Sequence, residues 1–161
     1  MHEIAFLSDY VRPFSSQTPH NKMIEVTTTE QITILVDEYD NFLFDCDGVM
    51  WLDYKLIPGV NKTIEMLIRK NKKFGFVSNN SSALRKTYVE RFKALGIDLV
   101  TELMMFPTCY AAASYLQNHC KFPPKSKVWV LGEIGIREEL ENAGYIVLGC
   151  EDPKSDEAFD A

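Results

Sequence analysis

The sequence predicts an α/β protein built on a parallel sheet, and three observations lead to that fold class. Two short apolar runs, residues 42–44 and 74–77, each end in a group of polar residues. Between them, Pro58-Gly59 precedes a segment whose apolar residues recur with the period of a helix. A strand, a helix and a strand over this length form a βαβ unit, whose strands are parallel and whose carboxyl ends lie at one edge of the sheet.

The elements of the first half follow in order along the chain. Residues 1–27 show no sustained apolar period, and we expect a disordered N-terminal extension there. A short helix then begins at Thr29 and ends near Asp40. The predicted strand 42–45, helix 60–72 and strand 74–77 come next. Ser82 is a favourable N-cap for the following helix, which Gly96 ends.

The second half continues the alternation of strands and helices. Residues 103–106 predict a third buried strand, in which Met104 and Met105 are interpreted as core residues. A helix begins at Pro107 and runs through Leu116. The remaining predicted elements are a strand over 127–131, a helix over 136–142 and a strand over 145–148.

Two carboxylates separated by one residue stand where the first predicted strand ends. Because side chains of a strand alternate between its faces, Asp45 and Asp47 leave on one side and Cys46 on the other. Acids this close repel each other and keep their charges best with a cation between them. The pair therefore predicts a Mg²⁺ site at the carboxyl end of a buried strand. The same negative charges should raise the pKa of the Cys46 thiol.

Ser78 follows the second predicted strand and should lie at the same edge of the sheet as the two acids. Ligands of open α/β sheets bind at that edge. A hydroxyl group, backbone N–H donors and a metal-neutralised pair of acids together suit a phosphate group.

The ordered combination of these segments resembles the first two motifs of haloacid dehalogenase-like phosphatases, in the 4-nitrophenylphosphatase and phosphoglycolate phosphatase branch. The similarity covers about residues 28–161. It rests on four segments: Asp45-Cys46-Asp47-Gly48-Val49-Met50-Trp51, Ser78-Asn79-Asn80-Ser81, Lys127-Val128-Trp129-Val130-Leu131-Gly132-Glu133, and the following Gly135, Glu139-Leu140 and Ala143-Gly144.

The resemblance implies a role for each matching residue. Asp45 would attack phosphorus and form an aspartyl-phosphate. Asp47 would protonate the leaving oxygen and then activate water, and its backbone carbonyl would help Asp45 to hold Mg²⁺. Ser78 would hydrogen-bond the transferring phosphoryl group, with donors from Asn79 and Asn80 nearby.

The resemblance also implies a domain organisation. Residues 28–106 would form the first half of a Rossmann-like core, and residues 107–161 would begin an α/β cap that selects substrates. In such enzymes a lysine and an acidic motif follow the cap, and we expect this chain to be truncated before both. The alternative is a catalytically impaired fragment that binds metal, phosphate or a partner without turnover.

Composition narrows the class of partner. The net charge of −6 disfavours binding to nucleic acid or to an anionic membrane surface. No apolar stretch approaches the roughly 20 residues that span a bilayer, and residues 1–20 lack the apolar centre of a signal peptide. We expect a cytoplasmic protein that acts on a small phosphorylated metabolite or an aryl phosphate. A homodimer or a complementary fragment is a possible assembly.

The sequence allows two interpretations for each of three features near the predicted site. Trp51 either lines the substrate entrance or packs its loop against the sheet. Asp53 is interpreted as a turn residue; the alternative is that it supports the metal ligands without binding the metal itself. The basic residues of the helix after Ser82 are interpreted as a solvated face, with substrate steering as the alternative; they are Arg85, Lys86, Arg91 and Lys93.

Overall fold

The computed structural model describes residues 25–150, and the chain divides into two compact units between Leu35 and Val36. Most of the predicted disordered extension, together with residues 151–161 of the predicted cap, therefore lies outside the described residues. None of the described helices is long and apolar enough to cross a membrane.

The described residues form helices and strands in the alternation that the sequence predicts. The helices are α1 (Thr29–Glu38), α2 (Val60–Arg69), α3 (Arg85–Ala94), α4 (Thr108–Ser114) and α5 (Ile134–Asn142), with a 3₁₀ turn at Glu102–Met104 and a π-helical turn at Tyr115–His119. The strands are β1 (Asn41–Asp45), β2 (Trp51–Leu52), β3 (Lys55–Leu56), β4 (Lys73–Ser78), β5 (Met105–Pro107), β6 (Lys127–Val130) and β7 (Ile146–Gly149).

The first sheet is parallel and has the strand order β1-β4-β5. Asp45 of β1 lies opposite Val77 of β4, and Ser78 of β4 lies opposite Pro107 of β5. Helix α2 connects β1 to β4, which confirms the predicted βαβ unit. The register brings the carboxyl ends of the three strands to one edge.

An aromatic cluster fills the space between this sheet and the helices that follow it. Phe76 of β4 packs on Phe92 of α3, with ring centroids 4.5 Å apart. Trp51 packs edge-on against the same Phe92 at 4.9 Å. All three side chains are fully buried, and aliphatic residues of α2, Ile64 and Leu67, are buried as well. Burial of these large rings is the main stabilising contribution to this half of the protein.

A second core lies around a separate parallel sheet of β6 and β7. Val130, Leu140 and Val147 are buried there, and Ala113 of α4 packs with them. Helix α5 also lies close to the loop after β4, since a Cβ added at Gly135 would meet the Ser81 carbonyl oxygen at 2.6 Å. The residue at this position must therefore be glycine for the helix to come so near the loop.

Several predicted boundaries are wrong; helix α2, for example, ends at Arg69 and not at residue 72. Helix α3 begins at Arg85 with Leu84 in the N-cap position, not at Ser82, because the backbone N–H and hydroxyl of Ser82 both donate to Oδ1 of Asn80. Strand β5 begins at Met105, and Leu103 is exposed in the preceding 3₁₀ turn. Met105 is fully buried, as predicted for a core residue.

Candidate active site

Asp45 and Asp47 lie at the end of β1 and both are exposed, while Cys46 between them is fully buried. The burial of Cys46 confirms that it faces the core, while a shared side for the two exposed acids stays a prediction. The pKa of the Cys46 thiol is raised to about 12, first by burial and then by the charges of Asp47 and Asp45. The predicted direction is confirmed, although burial is the larger cause.

A tight turn after β1 sets the direction of the Asp47 backbone. The Gly48 N–H donates to the Trp51 carbonyl at 2.7 Å, and the Met50 N–H donates to the Cys46 carbonyl at 2.8 Å. Gly48 has a φ of +81°, a left-handed conformation that glycine adopts without the steric cost of a Cβ. The glycine after the two acids is thus required by the turn.

The two acids have different local partners. Oδ1 of Asp45 accepts a hydrogen bond from the Cys46 backbone N–H at 2.8 Å. Oδ1 of Asp47 accepts one from the indole Nε1 of Trp51 at 2.7 Å, and a guanidinium nitrogen of Arg91 lies 3.8 Å from the same oxygen. Neither carboxylate is closed off from solvent, so both can approach a ligand at this edge.

Ser78 ends β4 one residue beyond the position opposite Asp45, and its side chain is buried. Its Oγ lies 2.9 Å from the hydroxyl of Tyr88 and accepts a hydrogen bond from the Asn80 N–H at 3.2 Å. Burial raises the pKa of the Tyr88 phenol, which therefore stays protonated. Nothing in the sequence pairs Tyr88 with Ser78.

The asparagines after Ser78 organise the loop. Oδ1 of Asn80 accepts hydrogen bonds from the N–H of Ser82 at 2.8 Å and from its hydroxyl at 2.6 Å. The Asn79 carbonyl accepts one from the Thr108 hydroxyl at 3.0 Å. These contacts hold the loop in shape and direct its backbone along the edge of the sheet; phosphate binding by Asn79 and Asn80 stays a prediction.

Trp51 is fully buried, so of its two interpretations the structure supports packing of the loop against the sheet. Asp53 has a φ of +52° in the turn between β2 and β3, as expected of a turn residue.

The interpretation of the basic residues of α3 as a solvated face is wrong for two of them. Arg85 forms an ion pair with the buried Glu139 of α5, at 3.1 Å between Nε and Oε1. Arg91 reaches Asp47, as described above. The partners are 54 and 44 residues apart in the sequence, so no helical pattern reveals either pair. The lysines of the helix, Lys86 and Lys93, are exposed as predicted.

The described residues contain no group of three or more His, Cys, Asp or Glu side chains that could hold a metal ion. Mg²⁺ is commonly bound through one or two carboxylates together with waters and substrate phosphate oxygens, so a set of three is not needed. The carboxylates of Asp45 and Asp47 are exposed oxygen donors at the end of a strand and fit that kind of site.

A family model described as haloacid dehalogenase-like hydrolase matches residues 42–146, which include both acids, the Ser78 loop and strand β6. The chain belongs to this family. The match confirms the resemblance on which the roles of these residues were predicted.

Named relatives of this haloacid dehalogenase-like hydrolase are phosphatases. Phosphoglycolate phosphatase 1A of Arabidopsis thaliana, a chloroplastic protein, is 48% identical over 118 residues, which is 73% of this chain and 32% of that protein. The 4-nitrophenylphosphatase of Schizosaccharomyces pombe is 40% identical over 129 residues, or 80% of this chain and 43% of that protein. The chain thus spans about a third to two-fifths of the length of these relatives.

Solved structures agree on the fold. The crystal structure of 4-nitrophenylphosphatase from Thermotoga maritima aligns with a TM-score of 0.63 and 28% identity, over 70% of this chain and 41% of that chain. The α/β fold with a parallel sheet, predicted from the sequence, is therefore confirmed over the part that the two chains share.

Proposed function

We propose that this chain carries the nucleophile and the phosphate-binding loop of a Mg²⁺-dependent phosphomonoester hydrolase. One observation carries the proposal: the parallel register of β1 and β4 puts Asp45 opposite Val77, next to Ser78, at a single edge of the sheet. A nucleophile and a phosphate-binding loop must share an edge in this way to act on one phosphorus atom.

Asp45 is the proposed nucleophile. One of its carboxylate oxygens is held by the Cys46 N–H, which orients the group and leaves the other oxygen to attack phosphorus. Attack forms the bond between that oxygen and phosphorus and breaks the bond to the leaving oxygen. Asp47 donates the proton that the leaving oxygen needs, and later takes a proton from the water that hydrolyses the aspartyl-phosphate.

The loop after β4 is the proposed phosphate-binding element. The hydroxyl of Ser78 and the backbone N–H of Asn79 are donors of the kind that a charged phosphoryl group requires, and the Asn80 N–H holds the Ser78 hydroxyl in place. The carboxylate of Asp45 and the backbone carbonyl of Asp47 would hold Mg²⁺, which when bound offsets the negative charge of the acids and of the phosphate.

The proposed substrates are small phosphorylated compounds, since relatives are named for phosphoglycolate and 4-nitrophenyl phosphate. A cytoplasmic location and assembly as a homodimer, or with a complementary fragment, stay predictions.

The test is hydrolysis of 4-nitrophenyl phosphate by the purified, folded chain. We expect turnover that needs Mg²⁺, stops with a chelator and returns when Mg²⁺ is added back. Asp45→Asn should abolish it, because an amide is a poor nucleophile. Asp98→Asn is the matched control, since Asp98 is an exposed acid in the segment after α3. A folded chain without Mg²⁺-dependent turnover would refute the proposal.

A further inference from the structure

Arg91 of α3 contacts four residues of the segment after β1, one of them Tyr54, whose ring centre lies 5.6 Å from the central carbon of the guanidinium group. A nitrogen of its guanidinium lies 3.8 Å from Oδ1 of Asp47, and its central carbon lies 4.4 Å from the centre of the Trp51 ring. It also donates a hydrogen bond to the carbonyl of Asp53 in the β2–β3 turn. One side chain from a helix thus joins the Asp47 carboxylate to the first strand and the turn of the hairpin that follows the proposed catalytic acids.

The Trp51 ring is held from both sides. Arg91 covers one part of it through a cation–π contact, while Phe92 packs edge-on against it and Tyr88 stacks at 6.3 Å. The side chain is 0% exposed. Because a ring enclosed in this way cannot turn without breaking several contacts, the direction of its Nε1–H is fixed.

This fixed N–H points at Asp47. The Nε1 to Oδ1 distance is 2.7 Å, although the Asp47 side chain is still 58% exposed. The hydrogen bond and the ion pair that described residues make with this carboxylate both go to Oδ1. The other oxygen, Oδ2, is therefore the one available to a bound molecule.

We propose that Arg91 and Trp51 are positioning residues for Asp47, holding Oδ1 so that Oδ2 transfers the proton. This inference rests on the proposed function. In the step itself, the Asp45 oxygen bonds to phosphorus while the bond from phosphorus to the leaving oxygen breaks, and that oxygen keeps the electron pair. The proton on Oδ2 of Asp47 moves to the leaving oxygen, which departs as an alcohol and leaves Asp47 as a carboxylate.

The leaving group makes this role measurable. An alkoxide is a strong base and departs slowly unless it receives a proton, whereas 4-nitrophenolate departs readily without one. If the Asp47 carboxyl group loses its fixed orientation, hydrolysis of an alkyl phosphate should therefore slow far more than hydrolysis of 4-nitrophenyl phosphate. A residue that only stabilised the fold would affect both substrates alike.

The kinetic test compares ethyl phosphate with 4-nitrophenyl phosphate for wild type, Trp51→Phe and Arg91→Gln. Trp51→Phe keeps an aromatic ring in the core and removes the N–H donor, together with part of the buried volume of the indole. For both variants we expect kcat on ethyl phosphate to fall by about 10- to 100-fold, part of the roughly 10²- to 10⁴-fold that a general acid supplies. On the aryl phosphate kcat should fall by less than about 3-fold by the same argument, and KM should change little. Lys93→Gln removes the same charge from an exposed position of the same helix and should change neither substrate.

A second measurement needs no turnover. The chain has two tryptophans, so Trp129→Phe leaves a single indole N–H signal in a ¹H–¹⁵N NMR spectrum. We expect Asp47→Ala to shift this signal and to speed its exchange with water, because the acceptor is lost. Arg91→Gln should move the signal in the same direction. An indole signal that Arg91→Gln leaves unchanged would refute positioning by Arg91.

The outcomes separate this inference from the proposed function. If wild type hydrolyses neither phosphate in the presence of Mg²⁺, both the proposed function and the positioning role are refuted. If wild type is active and the variants lose activity on both substrates equally, only the positioning role is refuted. Wild type that hydrolyses only the aryl phosphate also refutes the positioning role, since a correctly oriented Asp47 should allow the alkyl phosphate to be hydrolysed.

Discussion

Arg85 of α3 and Glu139 of α5 form a two-point ion pair, with Nε 3.1 Å from Oε1 and a terminal nitrogen 3.3 Å from Oε2. The Glu139 side chain is only 3% exposed and that of Arg85 is 20% exposed. Arg85 also lies over the Tyr110 ring at 4.0 Å. A helix next to the first sheet is thus joined to a helix of the second sheet by a buried charge pair.

Removing one member of this pair should leave the other charge buried without its partner. We expect Glu139→Ala to lower the free energy of unfolding by about 3 kcal/mol, at the lower end for buried pairs because Arg85 keeps some contact with water. Urea denaturation measures the change. Glu138→Ala, one position earlier on the same helix, should cost no more than about 1 kcal/mol. Equal losses in the two variants would contradict the prediction.

Phe92 is the residue that Trp51 and Phe76 both contact, and its loss should open a cavity among large rings. We expect Phe92→Ala to lower the free energy of unfolding by about 4 kcal/mol. The control is Leu131→Ala, because Leu131 is 90% exposed and should cost less than about 0.5 kcal/mol. Chemical denaturation of both variants tests this, and a loss below about 2 kcal/mol for Phe92→Ala would argue against the described packing.

Gly135 should not tolerate the methyl group of alanine. Within a helix, alanine usually adds about 1 kcal/mol of stability over glycine, but a Cβ here would lie 2.6 Å from the Ser81 carbonyl oxygen. We expect Gly135→Ala to cost about 1–3 kcal/mol instead, read as a lower Tm. At Gly132 a Cβ would meet the end of the flexible Ile136 side chain at 3.2 Å and a Val130 methyl group at an ordinary contact distance of 3.7 Å, so Gly132→Ala should be tolerated. A gain in Tm for Gly135→Ala would show that α5 does not approach the loop.

Cys109 should make stability depend on pH in the alkaline range. Burial is the main cause that raises the pKa of its thiol above the usual value of 9.0. Between the unfolded and folded pKa values the folded chain keeps a proton that the unfolded chain has lost, so stability falls as the pH rises. The contribution of the protonated Cys109 thiol to the free energy of unfolding is fully present below pH 9.0 and is lost as the pH rises above it.

Cys109→Ser tests this linkage, because a serine hydroxyl can still donate to the Ala83 carbonyl but does not titrate in this range. We expect the free energy of unfolding of the variant to fall less steeply than that of wild type between pH 8.5 and about 10.5. Cys120→Ser, at an exposed position, should leave the slope of wild type unchanged. Identical slopes for wild type and Cys109→Ser would refute the prediction.

The sequence sufficed for the parts of the fold that depend on local pattern. The alternation of apolar runs and helical periods predicted β1, α2 and β4 to within a few residues, and the edge shared by Asp45 and Ser78 followed from the handedness and direction of a βαβ unit. The burial of Cys46 beside two exposed acids was also predicted, although β1 ends at Asp45 and the turn that follows it holds Cys46 and Asp47.

What the sequence could not supply depends on contacts between distant residues. The start of α3 was predicted at Ser82, but the Asn80 side chain engages both donors of that serine. Arg91 was interpreted as part of a solvated face, since no local pattern reveals that Asp47 and Trp51 lie beneath it. Such partners are fixed only when the sheet and helices pack together.

The two tryptophans of this protein sit in opposite surroundings, and each belongs to a different sheet. Trp51 is enclosed by aromatic rings, whereas Trp129 in β6 is 39% exposed. Excited selectively, the first should emit at short wavelength and resist quenching by iodide, while the second should emit further to the red and be quenched. A pair of single-tryptophan variants would thus let fluorescence follow the melting of each sheet separately.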